Sequence, residues 1–291
     1  MDNYVLISDS SCDLSSELLN KYNIDLVPYY VSFDSVNYYK ENIDISAEEF
    51  YEKIEDSNNF PKTSLPPIQD YIDIFKKHLE LGKDIVCICL SSMFSGSYQS
   101  ANNAKNILLE EFPERRIEVI DSRQATAGQG LVVYSAALLK ESGANIDSLI
   151  EKIDILKQTA KINFTVDSLE HLQKGGRIGK ASALAGALLN IKPIIIMYQG
   201  ELSPVAKVRG KKKAIKEIVD MTLKEIENFD DYYISILSAT RKDDCEMLKD
   251  EFLLQAPKAI IHISSTIGVT IGTHAGPTAI GIAYIKKYDR I

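Results

Sequence analysis

The sequence predicts an α/β protein of two α/β domains. The first, residues 1–160, has a mainly parallel sheet, and the second, residues 161–291, has a mixed sheet, with a ligand pocket between the two. Three observations carry this reading. Short apolar runs alternate with amphipathic stretches in the first part, the order that builds a parallel sheet. Several of these runs break abruptly into small hydroxyl residues and glycine. After Lys161 hairpin signals are mixed with crossovers, which implies a partly antiparallel sheet.

Taken in order, Val5–Ile7 reads as a strand that breaks into Ser8-Asp9-Ser10-Ser11. Ser46-Ala47-Glu48-Glu49 is a capping box that opens a helix running to Ile54. Pro66 and Pro67 suit a helix start, and Ile68, Ile72, Phe75 and Leu79 repeat at helical spacing until Gly82. Ile85–Leu90 is a second strand, broken by Ser91-Ser92-Met93-Phe94-Ser95-Gly96-Ser97, and a helix is expected after Gly96. Ile117–Ile120 is a third, followed by Asp121-Ser122 and Ala127-Gly128-Gln129-Gly130, with a helix expected after Gly130. Ile146, Leu149, Ile150, Ile153 and Leu156 form another helical stripe. In the second part, Ile194–Tyr198 and Leu202–Val208 flank Gly200-Glu201 as a hairpin. A helix (Lys211–Asn228), a strand (Tyr232–Leu237), a helix (Asp243–Leu254) and strands at Ala259–Ile263 and Ala279–Ile285 complete the pattern.

Composition narrows the function. Hydrophobic content of 45% and charged content of 25% are ordinary for a globular chain. A net charge of −8 argues against nucleic-acid binding. Four cysteines are few for 291 residues and fit a reducing cytoplasm. Cys87 and Cys89 share one strand face and read as small buried residues rather than a metal pair. The start of the chain lacks a basic region followed by a long apolar stretch, so no signal peptide is expected. The longest uncharged apolar run, Leu131–Leu139, is too short to span a bilayer.

In alternating α/β sheets the strand ends converge on one edge, where ligands bind. Here that edge is rich in hydroxyls and poor in His, Cys and paired carboxylates, the composition of a site that holds an anion through neutral donors. Ser95-Gly96-Ser97 sits at a strand-to-helix turn, and free backbone N–H groups there favour an anion. Thr63 and Ser64 precede a helix, where Ser64 can serve as a cap. His274 lies among Thr273, Ala275, Gly276 and Pro277 and reads as a residue of a tight loop. Lys174-Gly175-Gly176-Arg177-Ile178-Gly179-Lys180 has the wrong spacing for a phosphate loop. Gly128-Gln129-Gly130 fails the dinucleotide fingerprint, and no G-x-S-x-G elbow is present. Lys207, Arg209, Lys211, Lys212, Lys213 and Lys216 form a basic run without an acid. Cations at a helix start oppose the macrodipole, which suggests a docking surface for an acidic partner.

Six motifs together resemble the DegV family, in its order and over nearly the whole chain. They are Asp9-Ser10-Ser11-Cys12-Asp13-Leu14, Thr63-Ser64-x-Pro66, Ser91-Ser92-x-x-Ser95-Gly96-Ser97, Val119-Ile120-Asp121-Ser122, Lys174-Gly175-Gly176-Arg177-Ile178 and His274-x-Gly276-Pro277. The resemblance implies two α/β domains with a fatty-acid pocket between them, and a bacterial protein that presents its bound acid to a separate fatty-acid kinase. It also implies that Thr63, Ser95 with Gly96, and His274 surround the carboxylate, and that Arg209, with Lys211 and Lys212, docks the kinase. Ser64, Phe94, Ser97, Arg177, Leu184 and Thr278 are expected to be further pocket residues. Ser97 replaces the usual threonine, Thr278 a frequent glycine and Phe94 a leucine-like residue. The apolar stretch Leu184–Ile196 is the expected tunnel wall.

On this reading the chain is a lipid-binding protein of the cytoplasm and not an enzyme. It has no catalytic residue, metal or cofactor beyond the bound acid, and transient contact with a membrane surface stays open. Two other readings stand beside it. One is a serine-type acyl hydrolase using Ser95, His274 and an Asp such as Asp9. The other is a small anion- or sugar-phosphate-binding module, which predicts a small polar pocket.

Overall fold

A computed structural model describes residues 3–55, 60–184, 190–239 and 242–291. The chain opens with β1 (Tyr4–Asp9), a 3-10 turn (Ser10–Cys12), α1 (Ser16–Tyr22), β2 (Ile24–Val27), β3 (Tyr30–Ser32), β4 (Tyr39–Lys40), α2 (Ala47–Glu55) and β5 (Lys62–Ser64). It continues through α3 (Ile68–Leu79), β6 (Asp84–Cys89), α4 (Ser97–Glu111), β7 (Ile117–Asp121), α5 (Thr126–Glu141) and α6 (Ile146–Leu156). Then come β8 (Lys161–Thr165), α7 (Glu170–Lys174), a 3-10 turn (Gly179–Leu184), β9 (Ile191–Tyr198) and β10 (Glu201–Arg209). The last elements are α8 (Lys211–Glu225), β11 (Tyr232–Ser238), α9 (Lys242–Gln255), β12 (Ile263–Thr266), α10 (Val269–Ala275) and β13 (Ile280–Lys286).

The protein is α/β, with a parallel sheet followed by a mixed one. The first sheet has the order β2-β1-β6-β7 and is parallel throughout. Its central strands are buried on both faces, which is why they read as continuous apolar runs. Ser8 pairs with Ile88 and Ile88 with Ile120, so the three hydroxyl-rich strand ends leave the sheet side by side. The second sheet has the order β10-β9-β8-β13-β11-β12 and is antiparallel except for the β11–β12 pair. A three-stranded antiparallel sheet, β4-β3-β5, carries Thr63 and Ser64.

One apolar core joins the two large sheets. It runs from Leu6 and Ile88 on the first sheet, through Leu131, Val132 and Val133 of α5, to Ile162 and Ile285 on the second. Because α5 is buried on nearly every side, its sequence is apolar all round. It starts at Thr126, earlier than the sequence reading, and Gly128 and Gly130 lie inside it. A Cβ at Gly130 would sit 2.5 Å from the Cys12 carbonyl, so glycine here permits a close helix–turn approach.

Other boundaries also move. The turn of the β9–β10 hairpin is Gln199-Gly200. The last helix of the basic region ends at Glu225, where Asn228 was expected. β12 begins at Ile263 rather than ending there: Ala259 and Ile261 pack into the core, while Ile263–Thr266 carries the pairing with β11. Among the described residues no helix is long and apolar enough to cross a membrane.

Candidate functional site

A cavity of about 270 Å³ lies where the edge of the first sheet meets the second sheet and α10. Its deep part is lined by Leu90, Ile162, Phe164, Leu172, Met197 and Leu237, all buried. At the other end the lining residues Ser64, Leu65, Gly96 and Arg177 are exposed, which marks the mouth. Thr63, Ser95 and His274 line this same end-to-end cavity. An apolar interior that closes on a few hydroxyls suits an amphiphile and not a small polar ligand.

Each hydroxyl is held from behind by a donor. Tyr29 Oη donates to Ser95 Oγ at 2.7 Å, and the Ser97 amide donates to the same oxygen at 3.2 Å. With its acceptor positions occupied, Ser95 directs its own proton into the cavity. Burial pushes the Tyr29 phenol well above its ordinary range, so it remains a donor.

Thr63 Oγ1 lies 2.9 Å from His274 Nε2, and His274 Nδ1 is buried without a hydrogen-bond partner. Placing the ring proton on Nε2 leaves a bare lone pair at Nδ1 instead of a stranded buried N–H, the cheaper arrangement. His274 then donates to Thr63, and the Thr63 proton is free for the cavity. Burial, then the neighbouring Arg177 and His171, lower the His274 pKa to about 4. The imidazole is therefore neutral near pH 7, so Thr63 and Ser95 offer neutral donors beside the cationic Arg177 at the mouth.

His274 belongs to the last turn of α10 and not to a loop. Gly276, at φ +83, ends that helix. Gly175 makes room for the ring, because a Cβ there would sit 2.1 Å from Nδ1. Arg177 crosses the mouth: its Nε donates to the Phe94 carbonyl at 3.2 Å and its NH1 to the Gly175 carbonyl at 2.6 Å.

The structure brings together Thr63, Ser64, Phe94, Ser95, Gly96, Arg177 and His274 around this cavity. Two expected pocket residues are elsewhere. Ser97 is fully buried behind the site, donating to Asp9 at 2.8 Å and lying 2.6 Å from Tyr71 Oη. Thr278 accepts from the Asp167 amide and does not line the cavity. Ser64 is a strand residue, and Pro67 takes the cap position of α3. The Leu184 side chain and residues 185–189 lie outside the described residues, and none of residues 191–196 lines the cavity; the wall is formed instead by β8, Met197 and Leu202.

The residues of a hydrolytic triad do not meet. Ser95 is bonded to Tyr29, His274 to Thr63, and Asp9 to Ser11, Gln129, Ser97 and the Leu90 amide. In the basic run, Arg209 and Lys212 are exposed, whereas Lys211 is committed to the buried Asp244 at 2.7 Å. Sequence reasoning missed Tyr29 and the role of Gly175. The Lys174-Gly175-Gly176-Arg177 motif flagged the glycine, but nothing local marked the tyrosine.

Comparisons with known proteins identify the family. A family model described as an uncharacterised protein of the DegV family matches residues 3–287. A DegV domain-containing protein of Clostridium acetobutylicum is 34% identical over 286 residues, 97% of each chain. A crystal structure of a stearic acid-binding protein from Eubacterium ventriosum superposes with a TM-score of 0.94 at 36% identity, covering 99% of this chain and 100% of that one. A fatty-acid-binding DegV family protein of Thermus thermophilus gives a TM-score of 0.88 at 28% identity, covering 98% and 99%. With the match running through the whole architecture, the chain belongs to the DegV family.

Proposed function

We propose that this protein binds a long-chain fatty acid in the cavity and presents the carboxylate to a fatty-acid kinase. The observation that carries the reading is the pairing of a buried apolar interior with two hydroxyl donors, Thr63 and Ser95, at its exposed end. The solved relatives whose ligands are fatty acids support it. Burying ~14 methylenes at ~0.8 kcal/mol each yields roughly 11 kcal/mol before the costs of immobilisation and desolvation. The tail thus sets affinity, and the hydroxyls set orientation. The carboxylate sits at the mouth, where a second enzyme can reach it.

The chain itself supplies no cofactor or catalytic group on this reading, and it works in the cytoplasm. Arg209 and Lys212 form the kinase-facing patch; Lys211 is paired with the buried Asp244 and adds no net charge to it. The test is to extract the purified protein with organic solvent and identify the released material by mass spectrometry. A long-chain fatty acid is the expected result. Absence of lipid together with no saturable binding of a palmitate- or oleate-like acid defeats the reading.

A further inference from the structure

Behind the head-group residues lies a pair of carboxyls that the binding site does not use: Glu41 is buried, and Asp13 is half-buried with its Oδ2 enclosed. Asp13 ends the 3-10 turn Ser10–Cys12, and Glu41 follows β4. Both converge on Gly268, at the start of α10. The point where a Cβ would stand on Gly268 is 2.4 Å from Asp13 Oδ1 and 2.7 Å from Glu41 Oε1. The two oxygens are therefore no more than about 5 Å apart. No lysine, arginine or histidine pairs with either among the described residues. With Glu41 buried, the Asp13 Oδ2 enclosed and no cation between them, the like charges at that separation oppose ionisation of both.

The hydrogen bonds show which carboxyl keeps the charge. Glu41 accepts from the Ser10 hydroxyl at 2.5 Å, from the Thr270 hydroxyl at 2.7 Å and from the Thr270 amide at 3.0 Å. Those donors stabilise a carboxylate. Asp13 has the Gly268 amide as a donor and the Thr126 hydroxyl facing it, fewer donors than Glu41 has, and its Oδ2 is enclosed without a hydrogen-bond partner. The proton therefore resides on Asp13, the less well stabilised carboxylate. The other titratable groups facing the pair are Asp9, from the end of β1, Cys12, from the 3-10 turn, and Tyr51, from α2; Asp25, Asp44 and Glu49 share the outer groove that Asp13 and Glu41 line. Asp9 adds negative charge and disfavours a second ionisation further. The elements α5 and α10 present hydroxyls and amides here; His274 is at the far end of α10.

This corner supports both head-group donors. Ser10 Oγ accepts from the Tyr29 amide at 3.0 Å while donating to Glu41, and the Glu41 amide donates to the Tyr29 carbonyl at 2.9 Å. Tyr29 in turn orients Ser95. Through Thr270, Glu41 also holds the start of α10, whose last turn carries His274 and so orients Thr63. Thr126 and Thr270 line the cavity directly.

We propose that Asp13 and Glu41 share one proton and act as a pH-sensitive positioning pair for the Ser95 and Thr63 hydroxyls, so that loss of the proton at alkaline pH loosens Tyr29 and α10 together and releases bound fatty acid. The release rests on the proposed function; the shared proton does not. A carboxyl kept protonated by its surroundings binds a proton that the unfolded chain gives up, so the folded state loses stability as pH rises from the ordinary carboxylate range towards the pair's own titration.

Asp13→Asn tests this cleanly. Asparagine mimics the protonated acid and tolerates the φ of +50 at this position. Unfolding temperature of ligand-free wild type and Asp13→Asn is measured from about pH 6 to pH 9, above the pI near 5.2. The variant should gain on wild type as pH rises; parallel profiles overturn the shared proton. The same series is repeated with millimolar calcium or magnesium. Stabilisation of wild type by the ion that Asp13→Asn lacks shows a bound cation in place of the proton and also overturns it.

Binding of the fluorescent cis-parinaric acid is then followed over the same range. Above the pair's titration, wild-type affinity should fall by up to about tenfold per pH unit relative to the variant, one proton being linked to binding. An unfolding result as expected with identical binding profiles overturns the coupling to the head-group site. Absence of parinaric acid binding at every pH counts against the proposed function, while the unfolding series still decides the shared proton.

Discussion

Gly175 lies so near His274 that a Cβ at position 175 would stand 2.1 Å from the imidazole Nδ1. The glycine has an ordinary backbone angle, φ −76, so its role is space and not flexibility. The ring it admits donates to Thr63 across 211 residues of sequence. Gly175→Ala should therefore displace the ring and weaken fatty-acid binding about as much as His274→Ala, with the fold retained. Titration calorimetry with a long-chain acid checks this. Wild-type affinity in Gly175→Ala would mean that the ring position is irrelevant to the ligand.

Ser95→Ala and Thr63→Val each remove one hydroxyl donor from the mouth. Each should cost about 1–3 kcal/mol of binding, the range for a hydrogen bond to a charged group. Each substitution also leaves a buried donor without its acceptor, the Tyr29 hydroxyl or the His274 Nε2–H, so unfolding temperature should fall modestly with the fold retained. Tyr29→Phe should have a smaller effect in the same direction, since Ser95 keeps its own hydroxyl but loses the partner that orients it. If both hydroxyl variants bind as wild type does, the carboxylate is held elsewhere.

The neutral state of His274 sets a pH expectation. Its folded pKa, about 4, lies below the ordinary histidine value of 6.5. Between those values the unfolded chain binds a proton that the folded site refuses, so this histidine reduces stability as pH falls from 6.5 towards 4. Between pH 6 and 8 it stays neutral, and wild type and His274→Gln should show binding profiles of the same shape. A several-fold rise in wild-type affinity on going from pH 8 to pH 6, abolished in His274→Gln, would show a cationic ring.

Charge reversal on the basic run separates docking from binding. Arg209 and Lys212 are exposed, but Lys211 pairs with the buried Asp244, so reversing Lys211 would set two like charges against each other there. Arg209→Glu with Lys212→Glu should slow phosphorylation of the bound acid by a fatty-acid kinase and leave acid binding intact. The wild-type rate should fall with added salt, as surface steering is screened. Equal, salt-insensitive turnover in both proteins assigns these cations another role. One is visible in the fold: β10 is an edge strand, and exposed Lys207 and Arg209 deter pairing with another chain.

Much of the architecture was determined by local pattern. The central strands β1 and β6 are buried on both faces, so they read directly as apolar runs; the edge strand β7 is only partly buried but keeps Ile117, Val119 and Ile120, and the hydroxyl-rich ends of all three marked the site edge. The helices α3 and α6 were legible because one side faces a core, and the β9–β10 hairpin because Gly200 breaks two apolar runs. Thr63, Ser95 and His274 could be singled out by residue type and motif order. Their partners could not. The strands β3, β4 and β5 are only two or three residues long, too short for a periodicity, and they exist because they pair. The residues Val269–Ala275 have weak helix propensity, and tertiary packing with Glu41 at their start holds them as α10, which turned an expected loop into a helix end. Tyr29 meets Ser95 across 66 residues, and Asp13 meets Glu41 only at Gly268. Such contacts depend on how distant segments pack, and no spacing along a single chain encodes them. The sequence thus determined the two large sheets, the hydroxyl-rich edge and the basic run, while the tertiary structure decided the small third sheet, which hydroxyls donate, that His274 stays neutral and which lysine is already paired.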